Sequence, residues 1–141
     1  MAKTIFIFLL TQAFVISYTL NISVTNIDKN KKGKIVATIF KENERKLFPF
    51  GKAYSIKFNP KKSREEIFFR GLNKGEYAIV IYHDENINNL IDKNINNLID
   101  KNSFGLKEGV GYSNNYSYFP SFTKSQISIN KDTLINIKIK Y

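Results

Sequence analysis

GEYAIVIYH, residues 75–83, carries apolar or aromatic side chains at nearly every position. Successive side chains of an extended chain point to opposite faces, so a strand of this composition needs protein on both sides of it. It is expected as the central strand of a sheet. The lead-in GLNKGEY (71–77) is an apolar residue, a glycine-containing turn and a tyrosine that opens the buried run. A tight hairpin would be written in the same way.

Outward from this strand the chain alternates with period two. TLNISVTN (19–26) puts Leu20, Ile22 and Val24 on one face and Asn21, Ser23 and Thr25 on the other, the pattern of a half-buried strand. DKNKKG then turns the chain, and KIVATIF (34–40) follows with Ile35, Ala37 and Ile39 in phase. AYSIKF (53–58) and EEIFFRG (65–71) read as two more strands, separated by NPKKS. SQISI (125–129) and TLINIKIKY (133–141), joined by NKD, supply the last two. No segment shows useful helical periodicity. The expectation is a seven-stranded antiparallel β-sandwich with one long loop after the fifth strand.

Bulk composition narrows the class. The chain has 141 residues, enough for one domain with a core, and 43% apolar content argues against wholesale disorder. There is no cysteine, which excludes disulfides, thiolate zinc sites and a cysteine nucleophile while leaving the compartment open. The formal charge of +10 invites a nucleic-acid reading. Lysine, asparagine and isoleucine are over-used together, however, as AT-rich coding produces, and the lysines are spread along the chain. Their densest cluster, DKNKKGK (28–34), has the composition of a hairpin tip, and no nucleic-acid partner is expected.

The N-terminus speaks to the compartment. One lysine precedes an apolar stretch from Ile5 to Ile16, broken only by Thr11 and Gln12. A bilayer span needs about 20 apolar residues, and this shorter run fits the core of a secretory signal peptide. Cleavage after Ser17 or Ala13 would leave an exported domain at 18–141, periplasmic or extracellular, with no stable membrane span. A buried first strand or an uncleaved anchor is the alternative.

From Asp84 to about Phe122 no strand pattern is convincing, far beyond ordinary loop length. The stretch opens on a repeat at 84–102: the octet Asn-Ile-Asn-Asn-Leu-Ile-Asp-Lys fills 86–93 and recurs unchanged at 94–101. Counted from Asp84, side-chain oxygens fall at Asp84, Asn86 and Asn88, the Leu90 carbonyl follows, and Asp92 closes. These are positions 1, 3, 5, 7 and 9 of an EF-hand calcium loop, in which several oxygens converge on a hard cation from a tightly curled backbone. The second copy repeats the count from Asp92 to Asp100. Position 6 is Asn89 or Asn97 in place of glycine, a residue that tolerates positive φ. No glutamate stands at position 12, and Glu108 is the nearest downstream carboxylate able to complete the shell. The expected metal ligands are therefore Asp84, Asn86, Asn88, Leu90 and Asp92, with Asp100 and Glu108 completing, and the expected cofactor is calcium in a structural role.

LNKGEYAIVIYHDENINNLID, GLKEGVGYSNN (105–115) and the closing INIKIKY together resemble the exported bacterial proteins of domain-of-unknown-function family 2141. An N-terminal strand, a turn and a "G-x-I/V-x-x-x-I/L-F/Y" strand matching Gly33 to Phe40 are similar too. The resemblance covers essentially all of the chain after the signal. His83, Asp84, Asn86, Asn88 and Asp92 match its His-Asp-x-Asn-x-Asn-Gly-x-x-Asp signature. Gly105, Lys107, Glu108 and Gly109 match a Gly-x-Pro-Lys-Glu-Gly element, and Ser113, Asn114 and Asn115 match Ser-Asn-Asn. The signature glycine is Asn89 here, the proline is Leu106, and the octet is present once more than the family has it. The resemblance implies a sandwich related to transthyretin-like or immunoglobulin-like domains and brings no known activity.

The remaining candidates are read structurally. His83 is the one histidine, and Asp84 beside it would point to the opposite face of an extended strand, so no triad forms. His83 is expected to cap the strand end against the adjacent loop. GYSNNYSYFPSF (111–122) gathers Tyr112, Tyr116, Tyr118, Phe119 and Phe122, either to brace the asparagine-rich turn or to stack on a glycan or peptide. Ser113, Asn114 and Asn115 are expected to donate hydrogen bonds to the loop carboxylates. The functional expectation is a non-catalytic binding or structural module of the envelope. Its alternatives are a plain structural domain without metal and a glycan- or peptide-binding module.

Overall fold

The computed structural model describes residues 14–91, 108–115 and 120–141. Within them lie eight strands: β1 (Tyr18–Thr25), β2 (Lys34–Lys41), β3 (Tyr54–Phe58), β4 (Glu65–Leu72), β5 (Gly75–Asp84), β6 (Val110–Tyr112), β7 (Gln126–Ile129) and β8 (Thr133–Lys138). One short helix, α1 (Phe122–Ser125), precedes β7. The strands form two sheets, one ordered β4-β1-β8 and the other β3-β2-β5-β6, with β7 also paired to β5. The chain is all-β.

β5 is central, as its composition requires. β2 pairs along its whole length, from Lys34 opposite Asp84 to Lys41 opposite Tyr77. On its other edge β6 takes Val80–Tyr82 and β7 takes Gly75–Ala78, end to end. Tyr77, Ile79 and Ile81 join Ile35, Ala37 and Ile39 of β2 in a core shared with Leu20, Ile22 and Val24 of β1 and Phe69 of β4. Ala78, Val80 and Tyr82 belong to a second cluster with Val36 and Phe40 of β2. That cluster is roofed by Phe48, whose ring meets Phe40, Tyr112 and Phe122 edge-on at 5.3, 6.0 and 6.3 Å. Both faces of β5 are therefore dry.

Three features depart from the expected pattern. The strand count is eight, because β6 lies inside the stretch that shows no alternation. β1 and β8 run parallel, from Leu20 opposite Thr133 to Thr25 opposite Lys138. The segments 26–33, 59–64, 73–74 and 130–132 are not hairpin turns, since the strands they join lie in different sheets. DKNKKG and GLNKGEY therefore pass the chain from one sheet to the other.

The GLNKGEY crossover is held by its tyrosine. The Tyr77 hydroxyl donates to the Asn73 carbonyl at 2.9 Å, and the ring packs in the shared core. Burial pushes the phenol up, so it stays a donor well into alkaline conditions. Tyr77→Phe keeps the packing and removes this bond, and is expected to cost about 1 kcal/mol. Urea unfolding should show a lower midpoint at unchanged slope; an unchanged midpoint would mean that the crossover is held by packing alone.

Candidate functional site

Alternation along β5 sends His83 and Asp84 to opposite faces. His83 follows Ile81 towards the shared core and is fully buried. Its Nδ1 lies 2.7 Å from the hydroxyl of Tyr141, and the two rings meet edge-on. That hydroxyl also accepts the Asp28 N–H at 2.9 Å. We assign its proton to the bond with Nδ1, which leaves the imidazole proton on Nε2. Burial pushes the imidazole below its ordinary value, so His83 is a neutral group clamping the C-terminus to the strand end. The strand-end role was legible in the sequence; the partner is the C-terminal tyrosine and not the adjacent loop.

Asp84 follows Tyr82 to the other face and is also 0% exposed. Beyond it the chain curls around the carboxylate. Oδ1 accepts the Asn88 N–H at 3.1 Å and Oδ2 accepts the Asn89 N–H at 2.8 Å. Asn86 Oδ1 also accepts the Asn88 N–H at 3.1 Å, and Asn88 Oδ1 accepts the Leu90 N–H at 2.8 Å. These are two successive Asx turns, each a side-chain oxygen closing on the amide two residues ahead. Such a curl requires left-handed backbone, supplied by Asn89 at φ 61° and by Ile87 at φ 60°. Asparagine accepts that region readily; a β-branched isoleucine does so at a cost of about 1–3 kcal/mol. Ile87 is half exposed, so its own packing does little to offset the strain.

Glu108 closes the site from the other strand connection. It is 6% exposed, and its Oε1 accepts the Glu85 N–H at 2.9 Å. Glu85 in turn pairs with Lys31 at 2.8 Å. The phenol of Tyr82 is pushed up to about 12, first by burial and then by the charges of Asp84 and Glu108. The structure thus brings Asp84, Asn86, Asn88 and Glu108 to one end of β5. Leu90 is exposed, and Asp92, Asp100 and the second octet lie outside the described residues. Among the described residues no cation pairs with Asp84, and no three His, Asp or Glu side chains form a metal-holding group.

Two supports of the site were not singled out from sequence. Gly33, at φ 110°, sits against the Asp84 backbone; a Cβ there would stand 2.1 Å from the Asp84 carbonyl oxygen. Lys57 of β3 donates to Asn89 Oδ1 at 2.5 Å and holds the far side of the curl. Conversely, the Ser113-Asn114-Asn115 element does not serve the loop carboxylates. Ser113 Oγ donates to the Ser125 carbonyl and accepts the Ile79 N–H at 2.9 Å. Asn114 Nδ2 donates to the Gln126 carbonyl at 2.8 Å, and Asn115 brackets β8 through the Asn136 carbonyl and the Lys138 N–H. These residues staple β6 to its neighbours. Tyr112 and Phe122 are buried bracing groups, so neither offers a stacking face to a ligand, while Tyr116, Tyr118 and Phe119 lie outside the described residues.

A model of a family described as "Uncharacterized protein conserved in bacteria (DUF2141)" matches residues 22–136. This chain belongs to the DUF2141 family. The DUF2141 match begins within β1 and ends within β8, so it takes in both sheets, the Asp84 curl and Glu108. No curated protein and no solved structure matches the chain. Among the described residues no helix is long and apolar enough to cross a membrane.

Proposed function

We propose that this DUF2141 protein is an exported, non-catalytic β-sandwich of immunoglobulin-like or transthyretin-like type whose Asp84 curl is a structural calcium site. The reading rests on one observation. A fully buried carboxylate sits at the centre of an asparagine-lined coil with two backbone N–H groups and no cationic partner among the described residues. An unpaired buried charge is costly. An ionised carboxylate offers about four lone-pair sites, so the two N–H groups leave room for a hard cation. Asp84, Asn86, Asn88, the Leu90 carbonyl and Asp92 would be its ligands, with Asp100 and Glu108 as completing carboxylates. The strained φ of Ile87 supports a loop shape kept for a reason other than local preference.

The sandwich assignment draws on the core shared by the two sheets and on Tyr77, which reaches back to Asn73 from the start of β5 as tyrosine corners do. Export draws on the apolar N-terminus. Residues 1–13 lie outside the described residues, and Phe14, Val15 and Ile16 are 91, 81 and 70% exposed ahead of β1. Three exposed apolar side chains ahead of β1 suit a leader that is removed from the mature domain. His83 is buried against Tyr141 on the face away from Asp84, so the two do not form a His–Asp pair.

Extracellular modules hold calcium with Kd on the order of 10⁻⁴–10⁻³ M. At about 10 mM calcium such a site adds about 1.4–2.7 kcal/mol by mass action, which should raise the melting temperature of residues 18–141 by several degrees over chelator. Magnesium, which demands near-octahedral geometry, should do less. Identical melting in chelator and calcium would remove the metal from the proposal.

A further inference from the structure

The outer face of the β5 sheet is not covered everywhere. Between the segment 49–53 and the far side of the Asp84 curl lies a cleft of about 550 Å³, within the usual range for small-ligand sites. Its floor is laid by register: Lys57 stands opposite Val36 and Val36 opposite Tyr82, while Ser55 stands opposite Thr38. One wall carries Phe50 and Lys52, and the other is Asn89–Ile91.

The chemistry of this lining is one-sided. Among the described residues it holds two lysines, Lys52 and Lys57, and no carboxylate. Among the described residues neither lysine has an ion-pair partner, and Lys57 meets only the neutral amide oxygen of Asn89. Between them the floor offers hydroxyls. Thr38 Oγ1 and Ser55 Oγ are 2.8 Å apart, and the Tyr82 phenol in the lining is a third.

We infer that this cleft is a binding site for an acidic saccharide unit. Carboxylate groups would face Lys52 and Lys57, and sugar hydroxyls would exchange hydrogen bonds with Thr38, Ser55 and Tyr82. Charge-assisted bonds to the ammonium groups supply the selectivity for an anion, and the hydroxyl row supplies the selectivity for a polyol. Leu90 of the proposed calcium loop lines one wall. The lysines and hydroxyls the inference uses come from β2, β3, β5 and the segment 49–53, so it is tested apart from calcium. It also makes no use of the tyrosines of the 111–122 segment.

The test is titration of residues 18–141 in chelator with trigalacturonate, and with maltotriose as a neutral trisaccharide, followed by amide chemical shifts. Trigalacturonate is expected to bind with Kd on the order of 1 mM and to move Thr38, Ser55 and Lys57, while maltotriose does not. A Lys52→Met, Lys57→Met double variant should weaken binding about tenfold or more. A Lys61→Met, Lys62→Met double variant, with the same change in charge outside the cleft, should bind as the parent does. Equal weakening in both doubles would reduce the effect to general attraction by a basic protein and overturn the site. So would equal binding of maltotriose, or no binding of trigalacturonate while both doubles melt as the parent does. A missing calcium response in the melting experiment would leave this outcome untouched.

Discussion

Asp84→Asn is expected to abolish the calcium-dependent rise in melting temperature while costing less in chelator than Asp84→Ala. The Asn88 N–H at 3.1 Å and the Asn89 N–H at 2.8 Å go to different carboxylate oxygens, so the amide keeps an acceptor for one of them, turns an NH2 towards the other, and removes the charge. Asp84→Ala removes the acceptor as well. Hydrogen bonds to a charged group contribute about 1.5–3 kcal/mol each, and the freed amides can turn partly to water, so a loss of about 2–4 kcal/mol in chelator is expected for alanine. The pair of variants separates two roles of one side chain. If asparagine melts with alanine in chelator, the curl needs both carboxylate oxygens and one acceptor does not hold it. If asparagine retains the full calcium response, any ion is held elsewhere and the proposed site is wrong.

The ordering of Asp84 shows how far the sequence carried. Spacing at 84, 86 and 88 marked the oxygens, and the tolerance of asparagine for left-handed backbone marked Asn89, which stands at φ 61°. Ile87 was invisible to the same logic, because no propensity puts a β-branched residue at φ 60°. It lies inside the first Asx turn, where the Asn88 N–H reaches back over it to Asn86 and Asp84. Glu108 was picked as a distant carboxylate, yet its bond to the Glu85 N–H depends on β6 pairing with β5, and β6 has only three residues. Val110-Gly111-Tyr112 is too short for alternation to show. Its place is set by close packing, since a Cβ on Gly111 would meet the Lys138 carbonyl oxygen at 2.7 Å.

Strand identity was legible and strand partnership was not, for one physical reason. Alternation reports which face of a strand is dry and is blind to direction and to neighbours. Leu20, Ile22 and Val24 would alternate identically whether β8 ran parallel or antiparallel to β1. The composition of a turn likewise says that the chain bends, not whether it returns to the same sheet or crosses to the other. DKNKKG bends as expected and delivers β2 to the second sheet. The continuous apolar run of β5 was informative beyond this limit, because only a strand covered on both faces can carry it.

Gly33 lies where that crossover meets the curl, and Gly33→Ala is expected to be among the most damaging single-methyl changes in the protein. The added Cβ would stand 2.1 Å from the Asp84 carbonyl oxygen and 2.6 Å from Glu85 Cα, both backbone atoms that no rotamer change can move aside. The residue also sits at φ 110°, where a side chain is strained in any surroundings. Gly71 supplies the control, for it has φ 71° and nothing within 4 Å of its would-be Cβ. Gly71→Ala should therefore cost only the left-handed backbone term, about 1–2 kcal/mol. Gly33→Ala adds overpacking of about 1–3 kcal/mol to strain of similar size, for about 2–5 kcal/mol in all. Denaturant unfolding of the two variants reads the difference directly. Because the displaced atoms are the backbone of Asp84 and Glu85, Gly33→Ala should also blunt the calcium response, which Gly71→Ala should leave whole. Equal losses at the two glycines would mean that the turn at 26–33 gives way freely, and that the end of β5 owes its position to Glu108 and Tyr141 instead.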